Sequence, residues 1–421
     1  MKNSPLALRD FRLFLGGRFF AGLAMQTQSV AIGWYLYDVT RDPLSLGYAA
    51  LAVSVPIALL TLPAGDVADR RDRRRILGAA HIVQSACAAL FLYLVVAHTT
   101  LAWPFYSVLA LSGAARAFSG PAQQSFTPFL VPREQFGQAV AWSGSTSQIA
   151  MVVGPALGGL IYLAGPWAPF AACLVMSPLV ALAMLAIRVR ISGTQSDASA
   201  LQRVVAGLSY LRRQPVVLGA ITLDLFAVLL GSVTALLPVY ARDILHVGPD
   251  GLGVMRSSIA AGAVGMGLLL ANLPAQRHPH AGRAMLGGVA VFGLAALVFG
   301  VSTHYALSIA ALAVMGAADM ISVFVRSTVV QLGTPDGMRG RVSAVHMLFI
   351  GAANEFGDFR AGLVAAWLGA VPAVMAGGAC TLVVVALWSR LFPELRRIDR
   401  LADVTAGRPD EPERAGFPDD K

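Results

Sequence analysis

Glu355 and Asp358 stand one helical turn apart inside an apolar run, 342–366. With Gly351 and Gly362 they recur at intervals of four, three and four residues, which places all four on one face of a helix. Two carboxyls that close cannot both ionise comfortably in a low dielectric, so the pair suits uptake and release of a proton. Arg360 gives the opposing reading, because a guanidinium so near would neutralise one acid instead. Arg116 and Asp319 are further charges inside apolar runs, 101–121 and 304–325. Each lies about fourteen residues from one end of its run, or ~21 Å at the helical rise. Opposite charges at matching depth either serve a substrate or proton, or form a structural ion pair. Asp224 sits inside the run 216–240. Charges at such depth cost ~2.5–3.5 kcal/mol each on insertion scales, so function is their default reading. Gln26, in the middle of the run 13–36, is a neutral candidate for an internal cavity, and Gln28 points ~200° away from it. His81 and Gln84 read as packing or hydrogen-bonding residues.

These groups need helices that can carry them through lipid. The 421-residue chain is 56% hydrophobic and 13% charged, against about 25% charged in a soluble domain. Runs reaching or approaching the ~20 residues that span hydrocarbon occur at 13–36, 44–64, 76–97, 101–121, 138–163, 168–188, 216–240, 251–273, 284–302, 304–325, 342–366 and 370–391. They predict an all-α integral membrane protein of twelve transmembrane helices with both termini on one side. The segment Gly65-Asp66-Val67-Ala68-Asp69-Arg70-Arg71-Asp72-Arg73-Arg74-Arg75 packs eight charges, five of them arginine, between two of these runs. So dense a cluster stays out of hydrocarbon and predicts a tight loop in the cytoplasm, where Lys and Arg are retained. Arg9, Arg12, Arg133, Arg190, Arg283, Arg339 and Arg396 fall on its side, while Arg41 and Arg242 mark the other, so both termini are expected in the cytoplasm. The net charge of +9 follows from this bias and does not call for nucleic acid.

The polar segment after 190 divides the chain. Residues 1–190 are expected to form one six-helix bundle and 216–395 a second. Between them, 191–215 reads as a cytoplasmic linker with an amphipathic helix marked by Leu201, Val204, Val205, Leu208 and Leu211. Residues 396–421, rich in Pro and acids, are expected to be a disordered cytoplasmic tail. The halves repeat each other at a constant offset. Gly113-Ala114-Ala115 falls on Gly316-Ala317-Ala318, and Pro132, Gly137, Gly154 and Gly159 fall on Pro335, Gly340, Gly357 and Gly362. An even number of helices per half makes the repeat parallel.

The order Gly-x-x-x-Asp-Arg-x-x-Arg-Arg, carried by Gly65, Asp69, Arg70, Arg73 and Arg74, resembles the signature loop of the major facilitator superfamily. Arg116-Ala117-Phe118-Ser119-Gly120 resembles its fourth-helix arginine motif. Gly154-Pro155-Ala156-Leu157-Gly158-Gly159 resembles its fifth-helix motif, typical of antiporters. Phe11-Arg12-Leu13-Phe14, Trp34-Tyr35-Leu36-Tyr37 and Gly120-Pro121-Ala122-Gln123-Gln124 are similar to strings in the branch that contains the bacterial enterobactin exporter. The sequence departs from the pattern at Asp72 and Ala150, where glycine is usual. The resemblance implies two pseudo-symmetric six-helix bundles in the major facilitator fold, alternating about a midplane cavity lined by the fourth and tenth helices. It also implies that Asp69 meets the start of the eleventh helix near Val342, whose positive end favours a carboxylate by ~0.3–1 kcal/mol. Arg70, Arg73 and Arg74 would orient that carboxylate, and Gly154, Pro155, Gly158 and Gly159 would contact the opposite half. The alternative readings are topology anchors and lipid contacts for the arginines, and ordinary helix packing for the glycines.

Several function classes drop out. The lysines are Lys2 and Lys421, so no nucleotide-binding loop exists and the chain does not drive transport with ATP. Cys87, Cys173 and Cys380 lie singly in apolar runs, with no zinc or disulfide spacing. No cofactor, metal site or enzyme activity is expected. The reading that remains is a monomeric secondary transporter of the bacterial inner membrane. Its partners would be protons, membrane lipids and a small amphipathic substrate, siderophore or drug-like, exported by proton antiport. Uptake or lipid flipping by the same fold, and a non-transporting membrane receptor or assembly subunit, are the alternatives.

Overall fold

Aspartate, proline and glycine set the limits of several of the helices. The computed structural model describes residues 4–124, 126–189, 200–272 and 280–397. Among them the long elements are all helices. The first group is α1 (Arg9–Thr40), α2 (Pro43–Arg70), α3 (Arg73–Val96), α4 (Trp103–Gln124), α5 (Phe136–Tyr162) and α6 (Ala168–Leu185). Then come α7 (Ala200–Leu211), α8 (Pro215–Gly231) and a single turn, α9 (Leu237–Val239), that continues into a π turn over Tyr240–Ile244. The rest are α10 (Pro249–Asn272), α11 (Ala281–Val301), α12 (Tyr305–Leu332), α13 (Asp336–Leu368), α14 (Ala370–Leu391) and α15 (Pro393–Arg396). The Asp42 side chain accepts the Leu44 N–H at 2.9 Å, and Pro43 opens α2. α13 ends at Gly369, whose φ of 90° would strain any side chain.

The expected loop 65–75 is mostly helix. α2 runs on to Arg70 and α3 begins at Arg73, leaving Arg71 and Asp72 between them. Charge bars these residues from hydrocarbon but not from a helix that continues beyond it. Asp72 caps α3 by accepting the Arg74 N–H at 3.0 Å. The expected amphipathic helix corresponds to α7, which packs on α13. A Cβ at Gly207 would stand 2.5 Å from the Arg341 carbonyl oxygen, so that contact requires glycine. Residues 191–199 and the tail from 398 lie outside the described residues.

The repeat is visible in the packing. α1 packs on α5 and α6, α2 on α4, and α3 on α4 and α6. In the same way α8 packs on α13 and α14, α10 on α12, and α11 on α12 and α14. Paired glycines let the backbones cross: Gly113 meets Val53 as Gly316 meets Ile259, and Gly154 meets Gln26 as Gly357 meets Leu229. Among the described residues, eight helices are long and apolar enough to cross a membrane. α1, α4, α5 and α13, also expected to span, run 32, 22, 27 and 33 residues. They are more polar, carrying Gln26, Arg116, Ser145 to Gln148, and Glu355 with Asp358. Leu59, Leu182 and Val383 are more than half exposed, a surface suited to lipid.

The halves meet where α5 packs on α10 and α2 on α13. At the end remote from Asp72, the far end, one apolar core takes in residues of both halves. It holds Leu36, Phe91 and Phe170 together with Leu236, Tyr240 and Phe299. At the near end there are two separate cores, one around Phe11, Phe14 and Phe126 and one around Leu211, Val329 and Val342.

Candidate functional site

One stripe of α1 runs beside the seam between the halves and meets it at Ser29 and Gly33. Arg18, Gly22, Gln26, Ser29 and Gly33 recur every three or four residues and so share a face. Arg18 Nε donates to Ser147 Oγ of α5 at 2.9 Å. Gln26 packs against Gly154, and the Thr27 hydroxyl donates to the Gly154 carbonyl at 3.4 Å. Arg256 reaches across from α10, its Nη1 donating to Ser29 Oγ at 2.6 Å, while its Nε is buried without a partner. Asp358 accepts the Ser232 hydroxyl at 2.5 Å and the Ala235 N–H, and it feels the charge of Arg256. One turn nearer the near end, Glu355 lies within range of the charge of Arg116 of α4. These two interact by charge across the seam without a contact ion pair. Arg360 does not fold back onto Asp358; its Nε donates to the Leu229 carbonyl at 2.9 Å.

Arg116 and Asp319 are not partners. Asp319 lines a cavity of about 10 Å³ inside the second half, together with Asp224, Ala227, Val228, Val289 and Phe292. That is room for about one water. Asp224 is buried in a contact ion pair with Arg326. His346 of α13 feels the Arg326 charge, and its Nε2 is buried without a partner. Equal depth on two helices says nothing about rotation around their axes, and Asp319 shares a face of α12 with Arg326. Sequence reading passed over Arg18, Arg256 and Arg326. Arg18 and Arg256 lie within predicted runs, where any charge is a signal. Arg326 falls one residue beyond its run and is enclosed because α12 continues to Leu332. Gln84 and Ser112 hydrogen-bond each other's helix, with Ser112 Oγ donating to Gln84 Oε1 at 2.9 Å.

The far end is closed by glycine contacts and ion pairs. Gly159 lies against Pro249 and Asp250 of α10, and Gly362 lies 2.9 Å, at its Cβ position, from the Pro43 carbonyl of α2. Gly253 in turn meets the Pro155 carbonyl. Gly154 and Gly158, expected to face the opposite half, pack on Gln26 and Thr27 of α1 in their own half. Their turn of α5 points one helix back from the seam. Arg242 pairs with Asp38, Tyr37 donates its hydroxyl to Asp243, and Arg41 lies 3.8 Å from Asp243. The Arg242 guanidinium also stands 5.6 Å from the centre of the Trp34 ring. The π turn supplies both Arg242 and Asp243.

At the near end the described polar contacts of Asp72 and Arg74 stay within the first half, while α7, packed on α13, also touches α2. Arg74 grips both oxygens of Asp72, with Nη2 at 2.7 Å, and donates through Nη1 to the Ile187 carbonyl at 2.5 Å. The Arg74 side chain holds the Asp72 carboxyl below the usual carboxylate range. Arg73 is buried, 5.1 Å from the centre of the Phe129 ring, and Arg70 is exposed. Asp69 stands in the last turn of α2, and its side chain lies outside the described residues. A Cβ at Gly65 would find nothing within 4 Å. Among the described residues no group of three or more His, Cys, Asp or Glu could hold a metal ion.

Two halves with like packing, joined over a seam of charges at membrane depth, define a solute transporter of the major facilitator fold. The nucleoside transporter NupG superposes with a TM-score of 0.70 at 12% identity, covering 91% of this chain and 100% of that one. A bacterial homolog of the human lysosomal transporter Spinster, inward-facing and unoccupied, gives 0.68 at 14% identity, covering 92% and 98%. Residues 2–415 match the Transmembrane secretion effector family, and the chain belongs to it. Macrolide efflux protein A of Streptococcus pyogenes is 28% identical over 249 residues, 57% of this chain and 61% of that protein, so the match spans under two thirds of that relative. Enterobactin exporter EntS of Citrobacter koseri is 25% identical over 413 residues, 95% of each chain.

Proposed function

We propose that the protein exports a small amphipathic compound by alternating access, driven by proton antiport. One observation carries the reading. The halves share one core at the far end and keep two separate cores at the near end, and between the two ends Arg116 and Glu355 of opposite halves feel each other's charge. In this reading twelve helices span the bacterial inner membrane as two six-helix bundles, 1–190 and 216–395, and one copy suffices. The arginine bias puts the near end and both termini in the cytoplasm. The structure is then the inward-facing state, and export needs the far end to open.

Glu355 couples the steps. Ionised, it is drawn to Arg116 across the seam; protonated, it is not. A proton taken up from the outer side therefore loosens the cross-seam attraction, and its release restores it. Each proton crossing ~100 mV supplies about 2.3 kcal/mol. Asp319, beside the Asp224–Arg326 pair, is the second carboxyl able to carry the proton. Asp69, with Arg70, Arg73 and Arg74, latches the near end in the alternate state.

The relatives suggest a labelled macrolide and labelled enterobactin as probes. In reconstituted vesicles, Glu355→Gln is expected to abolish transport driven by a pH gradient while exchange between equal pools continues. Both activities surviving unchanged would remove Glu355 from the coupling step. Movement of either probe inward under the same gradient would replace export with uptake.

A further inference from the structure

Among the described residues, Arg116 and Arg256 face the seam, Arg18 lies beside it on the α1 stripe of Ser29, and none of the three is in a contact ion pair. Arg18 rests on the Ser147 hydroxyl. Arg256 rests on the Ser29 hydroxyl, with Nε buried and unpartnered. Arg116 meets the charge of Glu355 only at a distance. Away from the seam the pattern differs: Arg326 is paired with Asp224, and Arg74 with Asp72. Arg360 is held on a backbone carbonyl inside the second half.

A guanidinium cannot shed its charge. Against these three, the described residues of the seam set Glu355 and Asp358, and Asp358 is already served by Ser232 and Ala235. One positive charge is left over, and two when Glu355 holds a proton. Uncompensated charge at membrane depth is costly, and the cost falls when a ligand brings the opposite charge. There is space beside these groups. A Cβ at Gly351, one turn from Glu355, would find nothing within 4 Å. Met25 and Leu348, on the stripes of Ser29 and Glu355, are exposed apolar side chains.

We infer that the seam takes an organic anion with an apolar body and rejects cations. Arg116 and Arg256 hold the acid group, Arg18 with Ser147 extends the same wall, and the excess positive charge repels a cationic competitor. The inference rests on the transporter reading above.

Fluorescein and ethidium, flat aromatics of opposite charge, test it. The full chain is reconstituted and the exchange of each dye between equal pools is followed, a measurement that needs no coupling ion. Fluorescein is expected to exchange about tenfold faster than ethidium, and Arg116→Gln and Arg256→Gln each to cut its rate about tenfold. Arg256→Glu should move the preference toward ethidium. A parallel arm with fluorescently labelled phosphatidylglycerol tells a dissolved acid from one drawn out of the lipid leaflet. Faster exchange of ethidium overturns the anion class and leaves transport standing. Exchange of neither acid also overturns it, and transport is then decided by the macrolide and enterobactin assay. The unaltered chain settles the preference even where a variant does not fold.

Discussion

The two ends of the molecule are built on different principles. At the far end, Gly159 and Gly362 let a helix of each half touch the backbone of the other, and Asp38, Arg41, Arg242 and Asp243 trade charges across the join. At the near end, the apolar cores remain separate, and Asp72 and Arg74 bond only within the first half. The difference teaches where reversibility lies. Opening the far end must part the apolar core the halves share there as well as undo backbone contacts and partly exposed ion pairs, whereas the two near-end cores each lie within one half and stay intact as the halves move.

The strongest way to break the comparison is Gly159→Leu. Overpacking costs ~1–3 kcal/mol, enough to shift the closed-to-open ratio of the far end about tenfold. Labelling of cysteines placed at the far end should rise accordingly, while Gly65→Leu, with open space around it, should leave labelling unchanged. Equal effects at the two sites would mean that the ends do not differ as described.

A smaller effect is expected from the ion pairs. Asp38 and Arg242 have side chains 40% and 23% exposed, so solvent screens their attraction to about 1 kcal/mol or less. Arg242→Asp should loosen the far end a few-fold by the same labelling, and adding Asp38→Arg should restore it. Failure of the double exchange to restore closure would show that the Trp34 and Tyr37 contacts matter more than charge.

At the near end, Asp72→Ala should lower stability by about 1 kcal/mol through loss of the cap. The folded state depresses the Asp72 pKa, chiefly through Arg74, so the carboxylate stabilises the fold above its unfolded value. That advantage is lost as the pH falls through the lower folded value. Thermal unfolding of the two proteins should therefore differ most near neutral pH and converge in acid, with export unaffected where both are folded. A difference that grows in acid would contradict the assignment.

The smallest expected effect is at Gly340, in the first turns of α13. A Cβ there meets nothing within 4 Å, so Gly340→Ala should stabilise the helix by ~0.5–1 kcal/mol and leave transport alone. Lost transport would reveal a near-end contact in the alternate state.

The sequence by itself determined the class of protein. Apolar runs separated by arginine-rich turns leave no other solvent than lipid, and the constant offset from Gly113, Gly154 and Gly159 to Gly316, Gly357 and Gly362 marks two like halves, because close helix crossings demand small residues wherever they recur. Position along a helix was equally legible, which is why Glu355, Asp358, Arg116, Asp224 and Asp319 stand out as charges inside apolar runs. Only the tertiary structure decided which charges meet. Helical rise fixes depth, but the rotation and neighbours of each helix come from packing. Packing turned Asp319 inward beside Asp224 and Arg326, set Arg116 opposite Glu355, and brought Arg256 across to Ser29. The far-end cluster was equally hidden. Asp38 and Arg242 are far apart in sequence, and a π turn, which no periodicity announces, supplies Arg242 and Asp243 to their partners on α1.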